Sequence, residues 1–284
     1  MFDYLRLVRW KNLLIIGLTQ LLFVLLTRTV FLALNDIALI ISTILTAAAG
    51  YVINDYYDLE ADKINKPNKI FISKSIRKDQ SRRFYFALVT LALWVGHYAL
   101  KELTSVILTI NILLFLYSYK LKRWPIIGNL MVSICSAGVI FIIYIANSSS
   151  IEAFKVESKG ILFFFSICAL LTSMVREMVK DMEDIEGDKV AGYKTLPILA
   201  GIKTTKAIAI LSLFSLLLYY FIGALEFYPK SFLPLVGFFI IVLFSSFILF
   251  KISKVNKKED YSKLSIYCKI LMLVGLGSVI LWLV

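Results

Sequence analysis

Apolar segments of about 20 residues recur from one end of this sequence to the other, and they constrain the fold more than any other feature. As an α-helix, a segment of that length crosses a hydrocarbon layer of roughly 30 Å. Hydrophobic residues make up 60% of the chain, charged residues 18%, and the mean hydropathy is +0.82, which no soluble composition matches. The sequence therefore predicts a membrane protein, and the net charge of +12 does not indicate a nucleic-acid-binding domain.

Nine apolar segments are separated by charged, proline, glycine or asparagine residues. Because a backbone inside lipid must satisfy its own hydrogen bonds, each segment is predicted to be a helix. We expect an all-α bundle of nine transmembrane helices that forms one domain over residues 1–284. The nine segments cover approximately residues 12–32, 37–57, 84–100, 103–120, 126–146, 160–178, 204–223, 231–250 and 264–283.

The 31 Lys and Arg residues indicate how the helices are oriented. Most of them lie in alternate loops, and cytoplasmic loops are the ones that collect basic residues. We therefore expect a cytoplasmic N-terminus and an external C-terminus. No small-residue cleavage site follows the first apolar segment, so this segment is expected to stay as an anchor in a multi-pass protein of the cell membrane.

The histidine and cysteine residues exclude several kinds of site. His97 is the only histidine, which excludes a multi-histidine metal site. Cys135, Cys168 and Cys268 occur singly inside apolar segments, without the paired spacing of a zinc site or a disulfide framework.

An acidic cluster lies at the end of the second apolar segment and in the loop after it. Asn54, Asp58 and Asp62 lie at positions i, i+4 and i+8, a spacing that puts three oxygen-bearing side chains on one helix face. Like charges at this spacing repel one another, and a divalent cation would compensate. Carboxylate oxygens are ligands for Mg²⁺, which often shares its other positions with substrate phosphates.

A second acidic cluster repeats the spacing at the end of the sixth apolar segment. Asp184 and Asp188 are again four residues apart, with Glu177, Lys180 and Asp181 preceding them. One acidic cluster at a helix end is usually a solvated face, but two with the same spacing on the same predicted side favour a metal site. We expect Asn54, Asp58, Asp62, Asp184 and Asp188 to hold metal ions, which would in turn hold a polyphosphate.

Basic residues lie near the same predicted face of the membrane. Tyr117, Lys122 and Arg123 lie at the end of the fourth apolar segment or just after it, and Arg9 and Asn12 lie at the start of the first. Cations of this kind would bind a diphosphate. They are also what a cytoplasmic loop with interfacial aromatic residues ordinarily contains.

The acidic and basic motifs together resemble those of the UbiA-type intramembrane prenyltransferases. The Asn54-xxx-Asp58-xxx-Asp62 run, the Asp184-xxx-Asp188 run and the Tyr-Ser-...-Leu-Lys-Arg segment between them have the order of that family's motifs, and the resemblance covers essentially the whole chain. It implies a polyprenyl diphosphate bound through Mg²⁺ by both acidic runs, with the prenyl chain in a lipid-facing tunnel. The four aspartates of the two runs would be the catalytic residues.

Within that family, the second motif is similar to that of the geranylgeranylglyceryl phosphate geranylgeranyltransferases. The resemblance rests on Arg176-Glu177-xx-Lys180-Asp181 and on Gly192-xx-Thr195-Leu196-Pro197. It implies Mg²⁺-dependent transfer of a geranylgeranyl group to the hydroxyl of a lipophilic glyceryl phosphate, with Glu177, Lys180 and Asp181 near the substrates. No obligate protein partner is expected. Lys66-Pro67 stands where the family usually has Arg-Pro, which keeps the charge but loses the two-pronged contact with phosphate.

Three other functions are compatible with parts of the pattern. An aromatic acceptor from quinone biosynthesis would keep the family and change the subfamily. A secondary transporter would use intramembrane carboxylates as cation sites, but here the acids lie at helix ends. A membrane CDP-alcohol phosphotransferase also has an aspartate-rich metal site, but its Asp-Gly-xx-Ala-Arg opening is absent.

Overall fold

A computed structural model of the chain describes residues 2–27, 32–67, 70–148, 158–227 and 231–282. Residues 28–31 of the predicted first span and residue 283 of the predicted ninth span lie outside the described residues. Over the described ranges the regular structure is helical, and an isolated bridge pairs Ile72 with Ile76.

Thirteen α-helices and two short 3₁₀ segments form the described part of the chain. The α-helices are α1 (Phe2–Leu7), α2 (Trp10–Thr27), α3 (Leu34–Tyr57), α4 (Leu59–Asn65), α5 (Lys78–Ala99), α6 (Leu103–Tyr119), α7 (Ile127–Ser148), α8 (Ser158–Glu183), α9 (Ile185–Val190), α10 (Leu196–Leu199), α11 (Gly201–Phe227), α12 (Leu233–Lys254) and α13 (Lys258–Ser278). The 3₁₀ segments are Leu121–Arg123 and Val279–Trp282.

Seven of the described helices, namely α2, α3, α7, α8, α11, α12 and α13, are long and apolar enough to cross a membrane. Helices α5 and α6 coincide with the third and fourth predicted spans. Helix α6 is apolar but only 17 residues long, and α5 begins with a charged turn that includes Lys78 and Asp79. The chain is therefore a multi-pass helical membrane protein, while the count of nine spans and the orientation of the termini stay predictions.

The helices group into two compact units, and the prediction of one domain over 1–284 stays a prediction. The first unit comprises residues Met1–Arg123, Ile142–Val156 and Glu186–Tyr193. Its central helix is α3, which packs against α2, α5 and α6. Small residues such as Ala48 and Ala49 are buried on α3, and such residues let helices in a membrane approach closely.

The second unit comprises residues Trp124–Phe141, Glu157–Ile185 and Lys194–Val284. Its central helix is α8, which packs against α11 and α13.

Aromatic side chains fill part of the second unit's interior. The Tyr220 hydroxyl donates to Ser278 Oγ at 3.0 Å and accepts from Trp282 Nε1 at 2.8 Å, which satisfies the buried polar atoms.

Each central helix ends at an aspartate that starts an acidic segment. Helix α3 ends before Asp58, whose backbone angles of φ −90° and ψ 4° interrupt the helix before α4. Helix α8 ends before Asp184, and α9 follows. Both acidic clusters thus span a long helix and a short one instead of a single helix. The i to i−4 bonds from Asp58 N to Asn54 O, at 2.9 Å, and from Asp62 N to Asp58 O, at 2.8 Å, keep the expected spacing.

Candidate active site

The carboxylate of Asp58 accepts three side-chain hydrogen bonds within the first unit. Its Oδ1 accepts hydrogen bonds from Lys122 Nζ at 2.6 Å and from the Tyr193 hydroxyl at 2.9 Å, and its Oδ2 accepts from Asn54 Nδ2 at 2.8 Å. An aspartate that precedes a helix usually caps that helix with its side chain. The Asp58 side chain does not cap α4; its Oδ1 is directed at Lys122 and Tyr193, which are far away in the sequence, and its Oδ2 at Asn54.

Lys122 forms a buried ion pair with Asp58. It lies in the 3₁₀ segment after α6, and only 6% of its side chain is exposed. Burial lowers the pKa of Lys122, although the charge of Asp58 and its hydrogen bond act to raise it. Sequence analysis predicted Lys122 as a substrate-binding residue but did not identify its partner.

Tyr193 is a member of this cluster that sequence analysis missed. A left-handed residue, Gly192 at φ 72°, ends α9. Tyr193 N donates to Asp188 O at 2.8 Å and Gly192 N to Lys189 O at 3.1 Å, the hydrogen-bond pattern of a glycine-terminated helix. The turn directs the Tyr193 ring towards Asp58. Burial, and then the negative charge of Asp58, raise the pKa of Tyr193, so its hydroxyl stays a hydrogen-bond donor. Gly192 was the signal in the sequence that could have located this turn.

Asp62 lies one turn after Asp58 and is half-buried in α4. Burial and the nearby charge of Asp58 raise the pKa of Asp62 to about 6, while Lys66 acts in the opposite direction. A second negative charge is thus unfavourable here without a further cation. Asp188, in α9, is buried, and its charge adds to the field at Tyr193.

The oxygen atoms of this region fit a magnesium ion. Asn54 Oδ1 is buried and accepts no hydrogen bond from the described residues, while its amide nitrogen is bonded to Asp58. An amide oxygen beside carboxylates is the kind of ligand set that Mg²⁺ prefers. No three His, Cys, Asp or Glu side chains within the described ranges form a metal-holding group by themselves.

Arg9 is close to the same acidic segment. Its Nη2 lies 2.7 Å from Asp55 Oδ1, and its guanidinium carbon lies 4.8 Å from the centre of the Tyr51 ring. Burial opposes the charge of Arg9, but Asp55 and Tyr51 together raise its pKa. Sequence analysis did not single out Asp55 as this partner. Asn12, at the start of α2, is half-buried and donates its backbone N–H to Arg9 O at 2.7 Å.

Two more predicted substrate-binding residues of the first unit lie on or after α6. Arg123 is exposed, and its guanidinium carbon lies 5.6 Å from the centre of the Tyr193 ring. Tyr117 is half-buried on α6. The structure thus brings Arg123 to the Asp58–Tyr193 pair.

The second unit contains the earlier part of the second acidic cluster. Glu177 is buried on α8; its Oε1 accepts from Arg176 Nη1, and its Oε2 accepts from Lys180 Nζ at 3.3 Å. Asp181 Oδ2 accepts from Asn129 Nδ2 at 2.8 Å. Asn129 is a buried residue of α7 that sequence analysis missed.

The predicted site residues therefore divide between the two units. Asp184, at the junction of α8 and α9, is half-buried and belongs to the second unit with Glu177, Lys180 and Asp181. The predicted residues in the first unit are Arg9, Asn12, Asn54, Asp58, Asp62, Lys66, Tyr117, Lys122, Arg123 and Asp188.

Comparison with known protein sequences identifies relatives that share a single name. Digeranylgeranylglyceryl phosphate synthase from Methanobrevibacter smithii is 34% identical to the chain over 216 residues, which cover 74% of this chain and 73% of that protein. The synthase of the same name from Methanosphaera stadtmanae is 31% identical over 290 residues, which cover 98% of each chain.

Solved structures have the same fold. One, described as giving insight into digeranylgeranylglyceryl phosphate synthase in membranes, superposes with a TM-score of 0.75 at 26% identity and covers 99% of this chain and 97% of that one. A UbiA homologue from Archaeoglobus fulgidus bound to GPP and Mg²⁺ superposes with a TM-score of 0.68 at 18% identity and covers 98% of this chain and 99% of that one.

A family model also matches residues 13–273, almost the whole described chain. The resemblance read from the acidic motifs is thereby confirmed. The chain belongs to the UbiA prenyltransferase family and is an enzyme that transfers prenyl groups.

Proposed function

We propose that the protein transfers a geranylgeranyl group from geranylgeranyl diphosphate to the hydroxyl of geranylgeranylglyceryl phosphate. The observation that carries the proposal is the coordination of Asp58, an acid at the end of a membrane helix with a buried lysine, a tyrosine and an asparagine around it. In the reaction, the C1–O bond of the allylic diphosphate breaks and diphosphate leaves with the electron pair. The acceptor oxygen forms a bond to C1 and its proton is released.

We propose that Asn54, Asp58, Asp62, Asp184 and Asp188 hold Mg²⁺. The buried oxygen of Asn54 and the raised pKa of Asp62 support a cation at the first acidic segment. When bound, Mg²⁺ neutralises the charge that develops on the departing diphosphate. Support from outside the chain is the A. fulgidus homologue that was solved with GPP and Mg²⁺.

The basic residues of the first unit would bind the diphosphate directly. Lys122 bonds to Asp58 through one N–H, and an ammonium group has two further donors. Arg123 is exposed over the Tyr193 ring, where its guanidinium can present paired donors to phosphate oxygens. Lys66 and Arg9 add positive charge beside Asp62 and Asp55. Asn12 and Tyr117 are proposed as further lining residues.

The glyceryl phosphate acceptor is supported by the relatives named digeranylgeranylglyceryl phosphate synthase, one of which aligns along 98% of the chain. The charged residues of α8 would contact this acceptor. Glu177 accepts hydrogen bonds from both Arg176 and Lys180, so two cations are held close together by one buried carboxylate. An acceptor phosphate would bind to such cations, and Asp181 is proposed to line the same acceptor site.

We also propose that the active site faces the cytoplasm, that nine helices span the cell membrane and that residues 1–284 act as a single domain. The distribution of Lys and Arg between alternate loops supports the orientation. The partners would be the two lipid substrates and the surrounding membrane, with no obligate protein partner.

The test is a prenyl-transfer assay with purified protein in detergent, Mg²⁺ and radiolabelled geranylgeranyl diphosphate. Geranylgeranylglyceryl phosphate, 4-hydroxybenzoate and dihydroxynaphthoate are supplied in separate reactions, each with and without EDTA. We expect label in the glyceryl phosphate product alone, and none with EDTA.

The other outcomes discriminate among the alternatives. Label in an aromatic product would retain the family and overturn the proposed acceptor. Transfer that persists in EDTA would overturn the proposed metal requirement. Absence of both transfer and diphosphate release would overturn the proposed donor substrate.

A further inference from the structure

The short helices α4 and α9 of the first unit contact each other at Gly187. Gly187 N donates to Asn65 Oδ1 at 3.0 Å. A Cβ atom on Gly187 would overlap the Asn65 side-chain amide and would lie 2.6 Å from Ala61 O. Ala61 O is a backbone atom and cannot move aside easily. Only glycine therefore fits at this position without separation of the two helices.

This contact is adjacent in sequence to one acidic residue from each cluster. Ala61 precedes Asp62, and Gly187 precedes Asp188. The approach of α9 to α4 therefore determines where the backbone of Asp188 lies relative to the backbone of Asp62.

Tyr193 forms a second link between the same two segments. Its backbone N–H donates to Asp188 O at 2.8 Å, and its hydroxyl donates to Asp58 Oδ1 at 2.9 Å. Two links, one at each side of Asp188, thus connect the segment 58–65 with the segment 185–193.

We propose that Asn65, Gly187 and Tyr193 are positioning residues that hold Asp58, Asp62 and Asp188 at the separation required to bind a divalent metal–diphosphate complex. This inference rests on the proposed function, because it presupposes that the acidic clusters bind metal. Metal sites depend on groups that orient the ligands, and loss of such a group lowers metal affinity by about 10- to 100-fold.

The experiment measures binding of Mn²⁺, a paramagnetic substitute for Mg²⁺, by electron paramagnetic resonance with and without inorganic pyrophosphate. The purified variants are Gly187→Ala, Asn65→Ala and Tyr193→Phe. We expect each to weaken Mn²⁺ binding in the presence of pyrophosphate by about tenfold or more and to change the spectrum of the bound ion.

Two control variants match the chemistry of these changes. Gly160→Ala adds a methyl group at a helical glycine where, among the described residues, no heavy atom beyond its chain neighbours and the nearby backbone of its own helix lies within 4 Å of the new Cβ. Tyr98→Phe removes the hydroxyl of an exposed tyrosine on α5. Both should bind Mn²⁺ as the unmodified protein does.

A double-mutant cycle separates positioning from general destabilisation. Part of the overlap in Gly187→Ala is with the Asn65 side chain, so Asn65→Ala should relieve it. We expect the combined Mn²⁺ effect of Gly187→Ala and Asn65→Ala to be smaller than the product of the two single effects. A purely structural role would leave the affinity and the spectrum of folded variants unchanged while the melting temperature falls.

The outcomes distinguish this proposal from the one on which it depends. If the unmodified protein binds no Mn²⁺ with pyrophosphate, the proposed metal-dependent function is overturned. If it binds Mn²⁺ and folded variants bind equally well, the positioning role is overturned. Should Gly187→Ala fail to fold, Asn65→Ala and Tyr193→Phe decide the matter, because they only remove atoms.

Discussion

The two acidic segments share one local design, and two of their carboxylates, Asp58 and Glu177, differ in what holds them. Asp58 and Asp184 each lie between a long membrane helix and a helix of six or seven residues. Asp58 is bonded to Lys122 and Tyr193, which are 64 and 135 residues away in the sequence. Glu177, in the other segment, is bonded to its own helix neighbours Arg176 and Lys180.

Because their partners differ, we expect substitutions around Asp58 and around Glu177 to have different effects. A carboxylate held by distant residues depends on the packing of the whole unit, so its position is well defined and its loss affects several elements. A carboxylate that is held by neighbours on its own helix keeps these partners even if the helix moves. We therefore expect changes around Asp58 to affect both stability and catalysis, whereas changes around Glu177 should affect stability little.

The largest expected effect is that of Asp58→Asn. The substitution keeps the size of the side chain but removes the charge that pairs with Lys122 and that would bind Mg²⁺. Prenyl transfer should fall by at least about 100-fold, the upper end of the loss seen when a group that supports a metal site is removed. The measurement is the initial rate with labelled geranylgeranyl diphosphate at saturating Mg²⁺.

The control for this variant is Asp79→Asn. Asp79 is an exposed residue at the start of α5 whose carboxylate lies 3.6 Å from Arg82. The Asp79→Asn variant should transfer prenyl groups at the same rate as the unmodified protein. Equal rates for the Asp58 and Asp79 variants would show that Asp58 has no role in the reaction.

Lys122→Met and Lys180→Met compare the two segments directly. Lys122 pairs with Asp58 in a buried setting, and removal of one partner leaves a buried charge, at a cost of about 3 kcal/mol. The melting temperature without metal should fall by about 5–10 °C. Lys180 is 3.3 Å from Glu177, a buried carboxylate that keeps Arg176 as a partner when Lys180 is removed, so the loss of Lys180 should cost less than the loss of Lys122.

Addition of Mg²⁺ gives a further test of the difference between the two lysine variants. A metal ion would supply the positive charge that Lys122→Met lacks, so Mg²⁺ should raise the melting temperature of this variant more than that of the unmodified protein. Equal melting temperatures for the two lysine variants, with and without Mg²⁺, would contradict the difference between the segments.

The part of this arrangement that the sequence predicts is the part that depends on local spacing. Apolar length predicted the membrane helices, and the four-residue spacing of Asp58 and Asp62 survives in the hydrogen bonds across the junction. Tyr193 and Asn129 were missed because their roles depend on long-range packing. Nothing in their own neighbourhood shows that they bond to Asp58 and Asp181.

Asn129→Ala is expected to have an intermediate effect. Asn129 donates to the carboxylate of Asp181, and loss of a donor to a buried charged group costs about 1.5–3 kcal/mol. In an Asp181→Asn background the same substitution should cost less, because a neutral amide is less dependent on a donor. The measurement is a double-mutant cycle on the melting temperature. Equal losses in both backgrounds would mean that Asn129 stabilises α7 in some other way.

The smallest expected effect is that of Arg9→Lys. The lysine keeps the charge opposite Asp55 but loses the planar contact with the Tyr51 ring, which is worth about 0.5–1 kcal/mol at a partly exposed site. We expect a small fall in melting temperature and a severalfold rise in KM for geranylgeranyl diphosphate, because a lysine does not present the paired donors of a guanidinium to phosphate oxygens. The exposed Arg6→Lys is the matched control. An unchanged KM would mean that Arg9 serves to hold Asp55 and does not contact the diphosphate.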